Sequence, residues 1–397
     1  MKNNINTFGW VDFNKKDRDI ALKIIDDNKT QGSIDELGLG AIRDAFSDIF
    51  FPGITTIQTR ARYFLLVPYW MKIVADKKNT PAEYQEAYLD REKNDSKTIF
   101  EYCDKREGLG IFGPDVFGTK RWLVRSIQET YWSGIWRFGL IKNNRGPNRI
   151  SISSCARLLM KQKKSLFQEE TTDDIYNTSG NRDDETKRDI ISISNELFDI
   201  ENELFKSKKY DIKLSKEEAK FLQRTIIENT NGSLLAEAVK DDSSFYAIDS
   251  FEKIDEKQYA FIEKQLLMAK EYTKLTTFLG KRFNRLINRK ADGCDFFPNI
   301  NKNLIESIFD LENISHRKKL QEFVITATDF VNSKDGDKLD ALICKREKSL
   351  KGNRAKTSLL RAGDSVISDE TPVSFEYNYR LDRVQQLVKD IREGLGL

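Results

Sequence analysis

The stretch SIDELGLGAIRDAFSDIFFPGITTIQTRARYFLLVPYWM, residues 33–71, sets glycines, two prolines and the pair Arg60 and Arg62 against a closing apolar run. Ser33 and Glu36 have the spacing of a capping box, in which a hydroxyl and a carboxylate reciprocally satisfy the free amides of a helix start. Gly38 and Gly40 mark tight turns or close packing before a helix over residues 40–49, and Phe51-Pro52-Gly53 breaks it. A further helix is predicted from about Thr56, burying Tyr63, Phe64 and Leu66 before Pro68, since proline cannot supply the next ladder hydrogen bond. Arg60 and Arg62 fall on that helix among apolar neighbours. A buried guanidinium there needs an anion: Asp35, Glu36 or Asp44 within the protein, or a phosphate from outside.

Outward from this stretch, helical grammar continues. Asn14 and Asp17 precede Ile20, Ala21, Ile24 and Ile25 at helical spacing, and Thr80-Pro81 with Glu83 combines an N-cap, a proline at the first position and an acid in the first turn. Residues 189–205, 215–229 with a Ser215 and Glu218 capping box, 255–289 and 303–332 also read as helices. Strand signals are few: FGLIKNN and NRISIS within 138–153 suit a hairpin through residues 145–148, and PVSFEYNYR at 372–380 alternates apolar and polar. The expected fold class is mainly α: a multi-domain helical protein with a winged-helix-like segment and a C-terminal helical bundle. The division expected along the chain is an N-terminal helical domain (1–112), a basic aromatic-rich segment (113–167), an acidic linker (168–186) and a C-terminal helical domain (187–397).

Composition narrows the chemistry. The chain has 397 residues, 39% hydrophobic and 32% charged, enough for a sizeable core under solvated helix faces. Its four cysteines are widely spaced without a CxxC pair, which indicates thiols in a reducing compartment and a cytoplasmic location. The longest uncharged apolar run, FLLVPYWM, is far below the ~20 residues of a membrane span, so no membrane association is expected. The single histidine, His316, would have to serve any Ser-His-Asp triad and cannot form an HExxH or three-histidine zinc site. GLGIFG at 108–113 matches GxGxxG, but a charged helix precedes it and Pro114 follows, which is the wrong context for a dinucleotide fold. There is no GxxxxGK[ST], and no cofactor is expected.

Charge is balanced overall, with 66 basic and 63 acidic residues, but not locally. Residues 115–164 hold eleven Lys or Arg against Asp115 and Glu129 alone. Within them Trp122, Tyr131, Trp132, Trp136 and Phe138 interleave with Lys120, Arg121, Arg125 and Arg137, a pattern that suits phosphate neutralisation with base stacking. A helix pair turning near Ser133-Gly134, followed by a basic wing through Arg145 and Arg149, permits a winged-helix reading. Core packing of the tryptophans competes with it, because their spacing is also helical. A second basic element, KREKSLKGNRAKTSLLR at 345–361, turns at Gly352 and offers Lys351, Arg354 and Lys356 to phosphates.

These residues resemble an uncharacterised bacterial and archaeal family, a domain of unknown function. The resemblance is carried by FGWVDF at 8–13, ELGLGAIRDAFSDIFFPGITTIQTRARYFLLVPYW at 36–70, the YW-SG-W-FG series at 131–139, LKGNRA at 350–355 and YRLDRV at 379–384. It implies no catalytic residues; it implies company, in anti-phage defence islands beside helicases and phospholipase-D-like nucleases. The leading expectation is therefore a non-enzymatic nucleic-acid-binding or adaptor subunit of a defence system, acting with a helicase or nuclease partner. Two alternatives stand beside it. One is a metal-dependent phosphodiesterase built on acid-x-lysine spacings such as Glu218 with Lys220 or the run Asp335-Gly336-Asp337-Lys338. The other is a protein-binding scaffold without nucleic-acid contact.

Overall fold

The computed structural model describes residues 35–78, 80–105, 108–119, 122–144, 150–170, 190–208, 210–311, 317–361 and 372–397, so the helix expected around Ile20 lies outside the described residues. In it the opening stretch becomes a capped helix, a set of turns and a second helix. Helix α1 spans Gly40–Phe50. Its cap is Asp35, whose two carboxylate oxygens accept from the amides of Leu39 at 2.7 Å and Gly40 at 2.8 Å. Ser33, the expected capping hydroxyl, is outside the described residues. Gly53 then turns the chain at φ +86°.

The next helix begins later than expected and does not stop at the proline. Residues 56–62 form turns because their amides go to distant side chains: Thr59 and Arg60 donate to the Tyr131 hydroxyl, and Ala61 donates to Asp390 at 2.7 Å. Helix α2, Tyr63–Lys77, runs straight through Pro68. Proline there forfeits one ladder bond, to the carbonyl four residues back, and burial of every residue from Tyr63 to Met71 outweighs it.

Helix α3, Pro81–Tyr102, starts as its sequence indicates, with Thr80 accepting from the Glu83 amide at 3.3 Å. The GLGIFG segment follows as a series of turns, with Gly108, Gly110 and Gly113 all at positive φ, and leads into a short 3-10 turn at Pro114–Val116 rather than a long helix. Helix α4, Ile127–Arg137, carries a full Ser126 and Glu129 capping box.

The expected hairpin is replaced. Strand β1, Ile141–Asn143, pairs antiparallel with β2, Ile191–Ile193, placing Ile141 opposite Ile193. The ISIS segment instead opens helix α5, Ile152–Glu170. Ser151 caps it by accepting from the Ser154 amide at 3.2 Å, and Cys155, Ala156 and Met160 supply its buried stripe. Residues 145–149, which would have tipped a wing, lie outside the described residues, as do residues 171–186 of the expected linker.

The remaining helices are α6 (Asn195–Lys206), α7 (Lys216–Asn229), α8 (Leu234–Ala238), α9 (Glu263–Leu286), α10 (Lys302–Ser307), α11 (Arg317–Asn332), α12 (Gly336–Lys351), α13 (Lys356–Arg361) and α14 (Leu381–Leu395). α6 starts at residue 195 because β2 uses the residues before it. The helix expected over 303–332 is broken into α10, a 3-10 turn and α11. The chain is thus mainly helical, with a single two-stranded sheet among the described residues.

These elements form two compact units. The first comprises residues 1–43 and 267–377, the second 44–266 and 378–397. In the first unit the PVSFEY segment is an extended strap without a strand partner among the described residues. Asn284 pairs with both the amide and the carbonyl of Val373 at 2.9 Å, and Phe375 and Tyr377 are buried while Ser374 and Glu376 face out. Period-two alternation here reflects burial on one side, not sheet pairing. In the second unit α2 is the central helix, packed by α3, α4, α5 and α6, while α7 packs on α14. Gly134 lets α4 approach α2: a Cβ there would sit 2.3 Å from the Phe64 ring.

Candidate functional site

The second unit sorts its arginines into two kinds. Arg62 is 2% exposed; its Nε donates to Glu218 at 2.8 Å, its Nη2 lies 3.6 Å from Glu201, and its Nη1 donates to the Asp211 carbonyl. Burial alone would lower its pKa, but the carboxylates of Glu218 and Glu201 raise it above its ordinary value. Burial, with the neighbouring Glu218 carboxylate adding to it, pushes the Glu201 carboxyl well above its usual range. Arg60 faces Asp390: Nε reaches both carboxylate oxygens at 3.1 and 3.0 Å, and Nη1 donates to the Leu109 carbonyl at 2.9 Å. Asp390 also accepts from Ala61 and, at 2.8 Å, from Gln386. The partners of the RAR pair are therefore Asp390, Glu218 and Glu201, not the nearby Asp35, Glu36 or Asp44, because the acids that close on it come from helices far along the chain.

Tyr131, Trp132 and Phe138 of the aromatic series in the basic segment are core, while Trp122 and Trp136 are half-buried. Trp132 is 3% exposed and donates to the Ile150 carbonyl at 3.0 Å, and Tyr131 and Phe138 are fully buried. Trp122 donates to Glu92 at 2.7 Å, and the same carboxylate accepts the first amides of α4, Ile127 and Gln128, both at 3.1 Å. Trp132 therefore has no face left for a base. Burial raises the Glu92 carboxyl above its ordinary value despite these donors.

What faces out in this segment is positive. Arg125, Arg137, Lys142, Arg157 and Lys161 are all exposed, with Glu129 the one exposed acid among described residues 122–162. Arg125, Arg137, Lys142 and Lys161 have no ion pair among the described residues, while Arg157 hydrogen-bonds only its own helix at Ser153 and Ser154. Arg157 and Lys161 share one face of α5, one turn apart. Lys120, Arg121, Arg145 and Arg149 lie outside the described residues.

In the first unit the second basic element has an internal purpose. Glu36 is 1% exposed and is met by Lys356 at 2.7 Å and by Lys351. Glu347, fully buried, accepts from the Lys356 and Thr357 amides and the Thr357 hydroxyl, at 2.8, 3.1 and 2.7 Å, and so caps α13 from the preceding helix. Lys351 and Lys356 thus neutralise an interior carboxylate; Arg354, on the 3-10 turn Gly352–Arg354, remains exposed.

The acid-x-lysine triplets also have local partners. Glu218 holds Arg62 and caps α7, and Asp335 caps α12 and pairs with Lys338 at 2.7 Å. Among the described residues no group of three His, Cys, Asp or Glu side chains is placed to hold a metal ion, and His316 is not among them. The four cysteines are thiols, three of them buried.

Glu92 and Asp390 are among the buried acids that the sequence reading passed over. Both carried a signal: Glu92 continues the buried stripe Tyr84, Tyr88, Ser96 and Ile99, and Asp390 interrupts Leu387, Val388 and Ile391. An acid on an apolar stripe is a buried acceptor waiting for a donor.

Residues 5–168 match the model of a family of unknown function, DUF6361. The segments at 350–355 and 379–384 lie beyond the matched stretch. No curated protein and no solved structure matches the chain. Among the described residues no helix is long and apolar enough to cross a membrane.

Proposed function

We propose that the protein is a non-enzymatic nucleic-acid-binding or adaptor subunit that meets phosphates through the exposed cations of the second unit. The observation that carries this reading is the segregation within residues 122–162: Tyr131, Trp132 and Phe138 are buried, and Arg125, Arg137, Lys142 and Lys161 stand in solvent without an acidic partner among the described residues. Cations so placed lower the cost of bringing up a polyanion by releasing its condensed counterions. Because Tyr131, Trp132 and Phe138 are buried, binding rests mainly on backbone charge, with little dependence on base sequence. Arg354 of the first unit adds a further exposed cation. On this reading the subunit serves anti-phage defence, alongside a helicase or nuclease.

The test is fluorescence anisotropy of labelled single- and double-stranded DNA and RNA across a salt series, with and without Mg²⁺. Micromolar binding with a steep negative slope of log K against log salt, similar for unrelated sequences, is the expected result. Absence of binding at low salt would remove the reading and favour a protein-binding scaffold. Cleavage that EDTA abolishes would favour the phosphodiesterase.

A further inference from the structure

A cleft of about 880 Å³ opens in the first unit between α11, α12 and the turn before α1. Leu320, Phe323, Leu342 and Leu350 give it apolar walls, and Arg346 lies among them. The guanidinium is held in place from behind: Nε donates to the Leu37 carbonyl at 2.9 Å, and its carbon sits 5.3 Å from the centroid of the Phe323 ring. Its Nη1 and Nη2 have no acceptor among the described residues. Gly38 keeps that edge uncovered, since a Cβ at residue 38 would lie 2.9 Å from Nη2.

The acids at the cleft do not complete this cation. Asp35 already accepts the Leu39 and Gly40 amides, and Glu322 is an exposed rim residue balanced by Lys319 and Lys345, both exposed and without ion pairs among the described residues. Burial lowers the Arg346 pKa from its ordinary value, with Asp35 and Tyr272 opposing that shift. A half-buried guanidinium with an open fork has lost hydration that an anion can replace, and the fork matches the two oxygens of a carboxylate or phosphate. The volume lies within the roughly 300–1,000 Å³ of small-molecule sites, which combine apolar walls with a few fixed polar groups.

We propose that this cleft binds a small amphipathic anion, an apolar body bearing one carboxylate or phosphate monoester, with the acid on Arg346 and the apolar part against Leu320, Phe323, Leu342 and Leu350. The proposal is independent of nucleic-acid binding and needs no catalytic step.

Isothermal titration of the full chain with octanoate, octyl phosphate, octanol and octylamine tests it. One equivalent of at least one anion is expected to bind, with octanol about ten-fold weaker and octylamine weaker still, since only the anions complete the fork. Binding of octanoate alone assigns a carboxylate ligand, of octyl phosphate alone a phosphate ligand, and of both the shared fork. Arg346→Gln is expected to cost the anions about ten-fold while leaving octanol unchanged. Equal affinity for octanol, undiminished anion binding in Arg346→Gln, or no binding by either anion overturns the proposal. Should Arg346→Gln fail to fold, Lys345→Glu at the exposed rim serves instead: anion affinity falls and octanol affinity does not, and anion binding that stays unchanged overturns the assignment.

Discussion

Arg62 and Arg137 belong to the same unit and have the same side chain, yet one is sealed between Glu218 and Glu201 and the other stands in solvent with no ion pair among the described residues. The buried arginine is part of an ion cluster that has already given up its hydration, so its energy lies in keeping partners together. The exposed one keeps its hydration and contributes little to folding, which leaves it free to meet a polyanion. Sequence proximity to aromatic residues does not distinguish the two; burial does.

The sharpest way to break this contrast is Arg62→Met, which strands Glu218 and Glu201 in the interior. Its expected cost is about 3–5 kcal/mol of unfolding free energy, read by urea denaturation followed by circular dichroism. A loss near zero would mean that the cluster does not hold the second unit together. Asp390→Asn keeps the shape but weakens the acceptor shared by Arg60, Ala61 and Gln386, and about 1–3 kcal/mol is expected from the same denaturation curves.

Glu201 adds a pH dependence whose sign follows from burial. Its folded pKa is raised well above the ordinary 4.5, so the folded state binds the proton more tightly than the unfolded chain. The stability so contributed is complete below that ordinary value and is lost as pH rises toward the folded pKa. Glu201→Gln removes this loss. The wild-type curve of stability against pH is expected to fall more steeply than the variant's above pH 4.5, by at most about 1.4 kcal/mol per pH unit. Parallel curves would show that Glu201 is ionised in the folded protein.

The smallest effect on stability is expected where the effect on binding is largest. Replacing Arg125, Arg137 and Arg157 together by glutamine should change stability by no more than about 0.5 kcal/mol per site. The same variant should reduce the slope of log K against log salt by about one for each phosphate it no longer neutralises. An unchanged slope would detach these cations from nucleic acid.

Much of the local structure was legible in the chain. The caps at Thr80 and Ser215, the helix of residues 40–50, the turn at Gly53 and the turn at Gly352 all obey short-range rules of hydrogen bonding and backbone freedom. The misreadings share one cause. Pro68 inside α2, the turns before Tyr63, and the pairing of Ile141–Asn143 with Ile191–Ile193 all depend on groups supplied from elsewhere in the chain. Candidate site residues divide the same way: Arg60 and Arg62 are recognisable as arginines needing anions, but Asp390 and Glu218 as those anions are not.

The sequence by itself determined a mainly helical protein, the capped helix starts at Thr80 and Ser215 and the excess of positive charge over residues 115–164, because propensity, capping and charge are properties of neighbours. Only the tertiary structure decided which charges are paired inside and which are exposed. The pairing of buried Arg62 with Glu218 and of buried Glu36 with Lys356 depends on surfaces brought together across long sequence separations, and a charge changes its meaning when water is removed from around it.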